Sequence, residues 1–169
     1  MKPINRILLA GLLALASVSG MPAFAAALTD YAENKIVDAT LRGQAIGTPA
    51  TWYIALYTAC PTDSTAGTEV TGGSYARVAI TASLANWSGT QSAGSTVASS
   101  GTSGTVSNNV SIALPTPTVG WGTVVCWGIT DAPTAGNIWI YSALTVSKTI
   151  NNGDSVSFAA GAATFQIDN

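Results

Sequence analysis

The sequence predicts a mainly β protein, a single antiparallel β-sandwich or jelly-roll-like domain with one short N-terminal helix. Three observations support this prediction. The 169 residues are close to the length of one domain. Seven or eight short apolar runs alternate with turns rich in Gly, Pro, Asn and Ser, which is typical of sandwiches and barrels. Helical periodicity is confined to one stretch, residues 30–42.

The start of the chain has the layout of a secretory signal peptide. Basic residues precede an apolar run over 7–18, and Ala23 and Ala25 supply small residues at the −3 and −1 positions of a cleavage site. An apolar run of this length is too short to span a bilayer comfortably. The alternatives are an uncleaved anchor and a helix buried in the fold. We expect cleavage after Ala25, which separates a leader (1–25) from a mature domain (26–169).

The helix predicted over residues 30–42 has recognisable ends. Asp30 is the expected N-cap, with an acidic residue three positions later. Asp38 and Arg42 form an i,i+4 pair, and Gly43 is the expected residue after the helix. Its apolar residues fall on one face: Ala32, Ile36, Val37 and Leu41. We expect this face to cover an open face or end of a sheet. The alternative is a docking or oligomerisation element.

The strands are predicted from apolar runs bounded by turn residues. In chain order they cover residues 52–59, 74–80 with a continuation over 82–87, 109–114, 122–130, 137–144, 155–158 and 164–168. The run 52–59 is apolar on both faces, as expected of a central strand. Residues 60–73 are predicted to be a loop. Residues 151–154 (NNGD) are a tight-turn signal, because Asn and Gly tolerate positive φ.

The segment 88–109 differs in composition from the rest of the chain. Fifteen of its 22 residues are Ser, Thr or Gly, so alone it is expected to be a flexible loop or an extended ribbon. It lies within a longer span, Val78 to Thr130, that contains no Asp, Glu, Lys or Arg. Charges normally keep exposed strand edges from pairing with other chains. Their absence favours assembly, and the alternative is an ordinary Ser/Thr-rich loop on a monomer.

The composition argues against catalysis and nucleic-acid binding. The chain has no histidine, which removes the commonest general base and the Ser-His and Cys-His pairs. Charged residues make up 8% and the net charge is −2, so a nucleic-acid partner is not expected. Asp63 and Glu69 are expected to be solvated loop acids rather than cation ligands, and Asp131 and Asp154 to lie in turns. We therefore predict no catalytic residue, cofactor or metal.

Cys60 and Cys126 are the two cysteines of the chain. In an exported protein they are expected to form a disulfide, which would close a loop of about 65 residues. The alternative is two unpaired cysteines on different strands, each acting as a small hydrophobic residue.

Two tryptophans are candidate exposed binding residues. Aromatic rings stack on sugars or anchor protein interfaces, although alternate aromatics in strands usually fill the core. Trp87 and Trp121 lie next to turns rich in Gly and Ser, so they are expected to be the most exposed of the set.

Five segments of the chain are informative when taken together: 28–35 (LTDYAENK), 52–58 (WYIALYT), 67–77 (GTEVTGGSYAR), 121–123 (WGT) and 153–161 (GDSVSFAAG). Together they resemble small phage proteins called tail fibre or tail fibre-like proteins. The similarity preserves their order and covers nearly all of residues 27–169. It implies a non-catalytic virion component that presents a surface, with no catalytic residues to transfer.

The sequence departs from that family in two respects. The leader is an addition, and a subunit exported from the cell would not meet a particle assembled in the cytoplasm. The 88–109 segment is longer than the family's usual link between these strands. We therefore expect an exported fibre-like surface protein in the periplasm, on the cell surface or outside the cell, forming homo-oligomers or fibres. The alternatives are a virion tail or head fibre of a (pro)phage and an adhesin module that binds a surface glycan. Other partners would be virion or cell-surface components.

Overall fold

The computed structural model describes residues 26–90, 97–100 and 104–167. The leader predicted for residues 1–25 lies outside them. In chain order the elements are β1 (Ala27–Leu28), α1 (Asp30–Leu41), β2 (Thr51–Ala59), β3 (Thr68–Glu69), β4 (Val78–Thr81), β5 (Thr105–Ser107), β6 (Ile112–Ala113), β7 (Gly122–Thr130), β8 (Ile138–Ile150), β9 (Ser157–Phe158) and β10 (Thr164–Gln166). The described chain is therefore mainly β with one short helix, as the sequence predicts. None of the described helical residues belongs to a helix long and apolar enough to cross a membrane.

The main sheet is built around β2. Its strands run in the order β1-β8-β7-β2-β3, with β4 also paired to β2, and every pairing is antiparallel. The sequence of β2 is apolar on both faces because both faces are covered. Ile54 and Leu56 point into the main core, whereas Ala55 and Tyr57 pack on the opposite side with Cys126.

Two small sheets complete the fold, β5 with β10 and β6 with β9. Ile112 and Phe158 pack with the inner face of the main sheet, where the main core lies. Its buried members are Ile54, Leu56, Val70, Ile80, Ile112, Leu114, Trp121, Val124, Trp127, Ile129, Ile150 and Ala163. The antiparallel β architecture is thus confirmed.

The N-cap of the helix lies one residue earlier than predicted. Thr29, not Asp30, is the N-cap, and its Oγ1 accepts a hydrogen bond of 3.4 Å from the backbone N–H of Ala32. The hydroxyl of Thr29 also donates to the carbonyl oxygen of Ile138, which ties the helix start to β8. Asp30 is the first helical residue, where a negative charge suits the helix dipole. The end is as predicted, with Gly43 at φ 67° after the Arg42 C-cap.

The predicted apolar face of the helix is covered mainly toward its N-terminus, since Ile36 is half-buried and the later apolar residues are exposed. Ala32 is fully buried, and the Tyr31 ring meets the Trp139 ring edge-on at 5.5 Å between centroids. Val37 and Leu41 are 49% and 82% exposed, so the prediction that they pack on a sheet is wrong. The start of the helix lies against the start of β8.

The disulfide between Cys60 and Cys126 is confirmed, with 5.3 Å between the Cα atoms. Cys126 lies on β7 directly opposite Tyr57 of β2, and Cys60 immediately follows the last residue of β2. The neighbouring position of these strands brings the two thiols together across 66 residues of sequence.

The 88–109 segment is ordered at its C-terminal end. Thr105–Ser107 forms β5 and pairs with β10, and Asn108 is fully buried. The side-chain amide of Asn108 donates to the carbonyl oxygens of Val110 and Ala159, and its Oδ1 accepts from the N–H of Ala163. Of the two sequence alternatives, the extended one applies to this end. Residues 91–96 and 101–103 lie outside the described part.

Removing the disulfide should destabilise the fold. Because it closes a loop of 66 residues, its loss is expected to lower the free energy of unfolding by about 4 kcal/mol. Urea unfolding of the oxidised protein and of a Cys60→Ala, Cys126→Ala double variant measures this difference. Reductant should lower the unfolding midpoint of the wild-type protein and leave the midpoint of the double variant unchanged. An unchanged midpoint for the reduced wild-type protein would contradict the expectation.

Candidate functional site

A buried polar cluster forms where β3 meets the segment leading into β4. We call Glu69, Tyr75 and Arg77 the Arg77 clasp. Glu69 lies on β3 opposite Tyr57, and the chain then reverses through Gly72, Gly73 and Ser74. Those three residues have φ values of 74°, 54° and 63°, the left-handed region that glycine adopts freely. The reversal brings Tyr75 and Arg77 back to Glu69.

Gly73 is required by space as well as by conformation. A Cβ atom there would lie 2.7 Å from the carbonyl oxygen of Val119 and 3.0 Å from Nε1 of Trp121. The indole N–H of Trp121 donates to the Gly73 carbonyl oxygen at 3.0 Å. This hydrogen bond holds the turn against the tryptophan ring.

The ion pair of the clasp is bidentate. Arg77 Nε donates to Glu69 Oε1 at 2.8 Å, and Nη2 donates to Oε2 at 2.7 Å. The side chains are 8% and 25% exposed, so the pair is only slightly screened by water. The pKa of Arg77 is raised, chiefly by its hydrogen bonds to Glu69. The guanidinium therefore stays charged throughout the accessible pH range.

The third nitrogen of Arg77 holds a different part of the fold. Nη1 donates to Thr130 Oγ1 at 3.0 Å and to the carbonyl oxygens of Ala132 and Ala135 at 2.7 Å each. These residues form the end of β7 and the turn into β8. One side chain thus ties this turn to β3.

Tyr75 completes the clasp at the edge of β2. Its hydroxyl donates to Glu69 Oε1 and accepts from the backbone N–H of Leu56, each at 2.9 Å. It satisfies a strand donor at the point where the pairing of β2 passes from β4 to β3. The pKa values of Tyr75 and nearby Tyr57 are both raised, first by burial and also by the negative charge of Glu69. Both phenols remain neutral. All three nitrogens of Arg77 donate hydrogen bonds within the fold, so the cluster has a structural role.

Glu69 was expected to be a solvated acid in a loop shared with Asp63, and this expectation is wrong. It lies on β3, which pairs with β2, and its carboxylate pairs with Arg77, eight residues later. Asp63 has separate partners. Its Oδ1 accepts from the Tyr141 hydroxyl at 2.6 Å, and its carbonyl oxygen accepts from the N–H of Asp30 at the helix start.

The two remaining predicted turn acids behave as expected. Asp131 accepts from the backbone N–H of Asn137 at 2.7 Å, from the amide of that residue and from the indole N–H of Trp139. Partial burial opposes ionisation, but these hydrogen bonds hold the pKa of Asp131 below its ordinary value. Asp154 accepts from the N–H of Asn151 in the NNGD turn. Across the described ranges, no three acidic or cysteine side chains gather as metal ligands would.

Trp121 is buried, so the prediction that it is exposed is wrong. It is 5% exposed, belongs to the main core and meets the Tyr75 ring edge-on at 5.3 Å. The turn that covers the ring lies 48 residues earlier in the sequence, where the carbonyl oxygen of Gly73 accepts the indole hydrogen bond. It therefore offers no face to a sugar.

Trp87 is half-buried and lines an apolar cavity of about 210 Å³. The other lining residues are Trp52, Val106, Ile129, Ile140 and Phe165. Its indole N–H is buried and has no acceptor among the described residues. The cavity lies between the inner face of the main sheet and the β5–β10 sheet.

The described chain is an antiparallel β protein in which one shielded ion pair holds turns and strands together. The chain matches the family described as podophage GP4 fiber I protein gp80 over residues 27–166. It belongs to this family and is a structural, phage fibre-like protein. The resemblance seen in the sequence is therefore confirmed. No curated protein matches the chain significantly.

The clasp residues were visible in the sequence only as part of the GTEVTGGSYAR segment. One further signal existed. Arg77 is the last charged residue before the uncharged span that begins at Val78. A lone arginine between apolar runs, with an acid upstream across a Gly-Gly turn, indicates a buried pair.

Loss of Arg77 should be far more costly than loss of an exposed arginine. Arg77→Ala leaves the Glu69 carboxylate and several acceptors unpaired, so the free energy of unfolding is expected to fall by about 3 kcal/mol. Arg42→Ala is the matched control, because its ion pair with Asp38 is exposed and is worth at most about 1 kcal/mol. Urea unfolding measures both. Equal losses in the two variants would contradict a structural role for the clasp.

The hydroxyl of Tyr141 should lose its proton at a higher pH than that of a free tyrosine, because it donates a hydrogen bond to Asp63. The hydrogen bond to that carboxylate, with a smaller effect of burial, raises the pKa of Tyr141 from 10.0 to about 12. Its contribution to stability is therefore complete below pH 10 and is lost as the pH rises from 10 to about 12. Asp63→Asn should bring the pKa back toward 10, measured by ultraviolet absorbance of tyrosinate, with Tyr141→Phe assigning the signal. A titration unchanged by Asp63→Asn would refute the coupling.

Proposed function

We propose that this protein is an exported, non-catalytic, self-associating fibre subunit that presents a surface outside the cytoplasm. The observation that carries the proposal is the family match over residues 27–166, since fibre proteins act through shape and contact. The proposed organisation is a cleaved leader (1–25) followed by a mature fibre domain (26–169).

The placement of the acidic residues supports a non-catalytic role. Within the described ranges, two acids lie in the first turn of α1, two form ion pairs with arginine, and three accept hydrogen bonds in loops and turns. Hydrolytic general acid–base chemistry uses carboxylates that face one cleft with separated pKa values. The acids here are instead distributed among separate structural contacts.

Self-association is supported by charge and by exposed apolar surface. The span Val78 to Thr130 has no charged residue to discourage strand pairing between chains. Val37 and Leu41 are exposed apolar residues in the C-terminal half of α1. The proposed partners are further copies of the chain and other virion or cell-surface components.

A second candidate is a tail or head fibre component of a (pro)phage particle that retains its leader. The observation that favours it is that the matched family is described as a podophage fiber protein. The two candidates differ in where the protein resides and in its first residue.

Intact mass and cell fractionation separate the candidates. Export predicts a species that begins at Ala26 in the periplasm or medium. Ala25→Arg places a large charged residue at the −1 position and should leave the chain uncleaved. Ala26→Ser, one residue beyond the site, is the matched control and should be processed normally. Full-length protein found on purified particles, with none exported, would reject the export proposal in favour of the virion candidate.

A further inference from the structure

Two strand edges face each other across a groove on this molecule. In the described chain, β4 pairs with β2 and β6 pairs with β9, which leaves the outer edge of each without a strand partner. Residues 78–81 and 110–113 line a groove of about 360 Å³ between these edges. Ile80 and Ile112 are buried in the same core cluster, so the groove has an apolar floor.

The register shows which backbone groups face the groove. The N–H of Ala82 donates to Ala50, so alternate residues of β4 point toward β2, and Ala79 and Thr81 point away from it. The N–H of Leu114 donates in the same way to Val156 on the far side of β6. The backbone groups of Ser111 and Ala113 therefore face the groove from the other wall.

One residue of the chain already spans both walls. The side-chain amide of Asn86 donates to the carbonyl oxygen of Thr81 at 3.0 Å, and the Asn86 carbonyl oxygen accepts from the N–H of Asn109 at 2.7 Å. The next residue, Trp87, forms an antiparallel bridge with Asn108. Asn86 thus bridges the two sides at this end of the groove, through its side chain on one side and through its backbone on the other.

The segment that contains Asn86 does not continue into the groove. Residues 83–86 form a turn in which the N–H groups of Asn86 and Trp87 both bind the Ser83 carbonyl oxygen. Beyond Asn86, the two walls at 78–81 and 110–113 are bridged by no described residue of the chain. Extended backbone placed there would continue the line of Asn86 and Trp87 and would pair with both edges.

We propose that this groove binds an extended, uncharged segment of a second copy of the chain, which adds a strand between β4 and β6. No charged residue lines the groove, so a charged strand would be buried without a counter-ion. The chain itself supplies uncharged sequence, since Val78 to Thr130 contains no Asp, Glu, Lys or Arg. This inference rests on the self-association proposed above and names the surface that performs it.

Ala79→Pro tests the proposal most sharply. It removes an N–H that faces the groove and leaves the hydrogen bonds of Val78 and Ile80 to β2 in place. We expect the dissociation constant for self-association, measured by sedimentation velocity of the mature protein, to rise at least tenfold. Ala113→Lys places a charge at the opposite wall and should have the same effect. The matched control is Val146→Lys, which adds the same charge at a 56% exposed position on β8 and should associate like wild type.

The outcomes separate this inference from the proposed function. Should Ala79→Pro fail to fold, Ala113→Lys decides alone. Association of Ala113→Lys as tight as that of Val146→Lys would overturn the groove and leave self-association standing. A wild-type protein that stays monomeric at about 100 µM would overturn both. A monomeric protein that enters particles only with an intact groove would assign the groove to another virion protein, which also overturns the proposal.

Discussion

The ion pair between Glu69 and Arg77 is the interaction on which the rest of the fold depends. Only 8% of the residues are charged, and this pair is shielded from water on the arginine side. A buried guanidinium is stable only when its donors are satisfied, and Arg77 uses all three nitrogens to do so. The hydrogen bonds that satisfy the Arg77 side chain thereby fix the relative position of β3, β4 and the β7–β8 turn.

The small number of charged residues also affects the strand edges at the surface. Lys and Glu side chains normally protect strand edges, and the chain has none between Val78 and Thr130. In the described chain, the outer edges of β4 and β6 have no strand partner. Under the self-association proposed above, these edges join identical chains through main-chain hydrogen bonds, which require no charged partners. The shielded clasp and the uncharged edges of β4 and β6 both belong to a chain with few charged residues.

Sequence patterns predicted the parts of the fold that depend on local chemistry. The bounds of β7 are as predicted, and β2 differs by one residue, since both are long apolar runs. The Gly43 helix end and the turn at residues 151–154 follow from positive φ and Asx hydrogen bonds. These features need no knowledge of distant contacts. The disulfide joins residues 66 apart in sequence, and it was expected from the cysteine count and from the predicted export of the chain.

Other features were not predictable because they are set by tertiary contacts. Residues 74–77 were expected to be strand, but the left-handed turn at Gly72–Ser74 places them in the clasp. The two- and three-residue strands β3 and β5 are too short to show periodicity, and they exist because β2 and β10 pair with them. The ring of Trp121 is buried by a turn some 48 residues away in sequence. Each miss reflects a partner that lies far along the chain.

A double-mutant cycle on the clasp tests the central claim most directly. Urea unfolding of Glu69→Gln, Arg77→Met and the combined variant gives the coupling energy of the two side chains. The account predicts a coupling of roughly 1 to 3 kcal/mol, with the double variant losing clearly less stability than the sum of the single losses. Additive losses would contradict it, since they would mean that the two residues stabilise the fold independently and that no shared ion pair organises it.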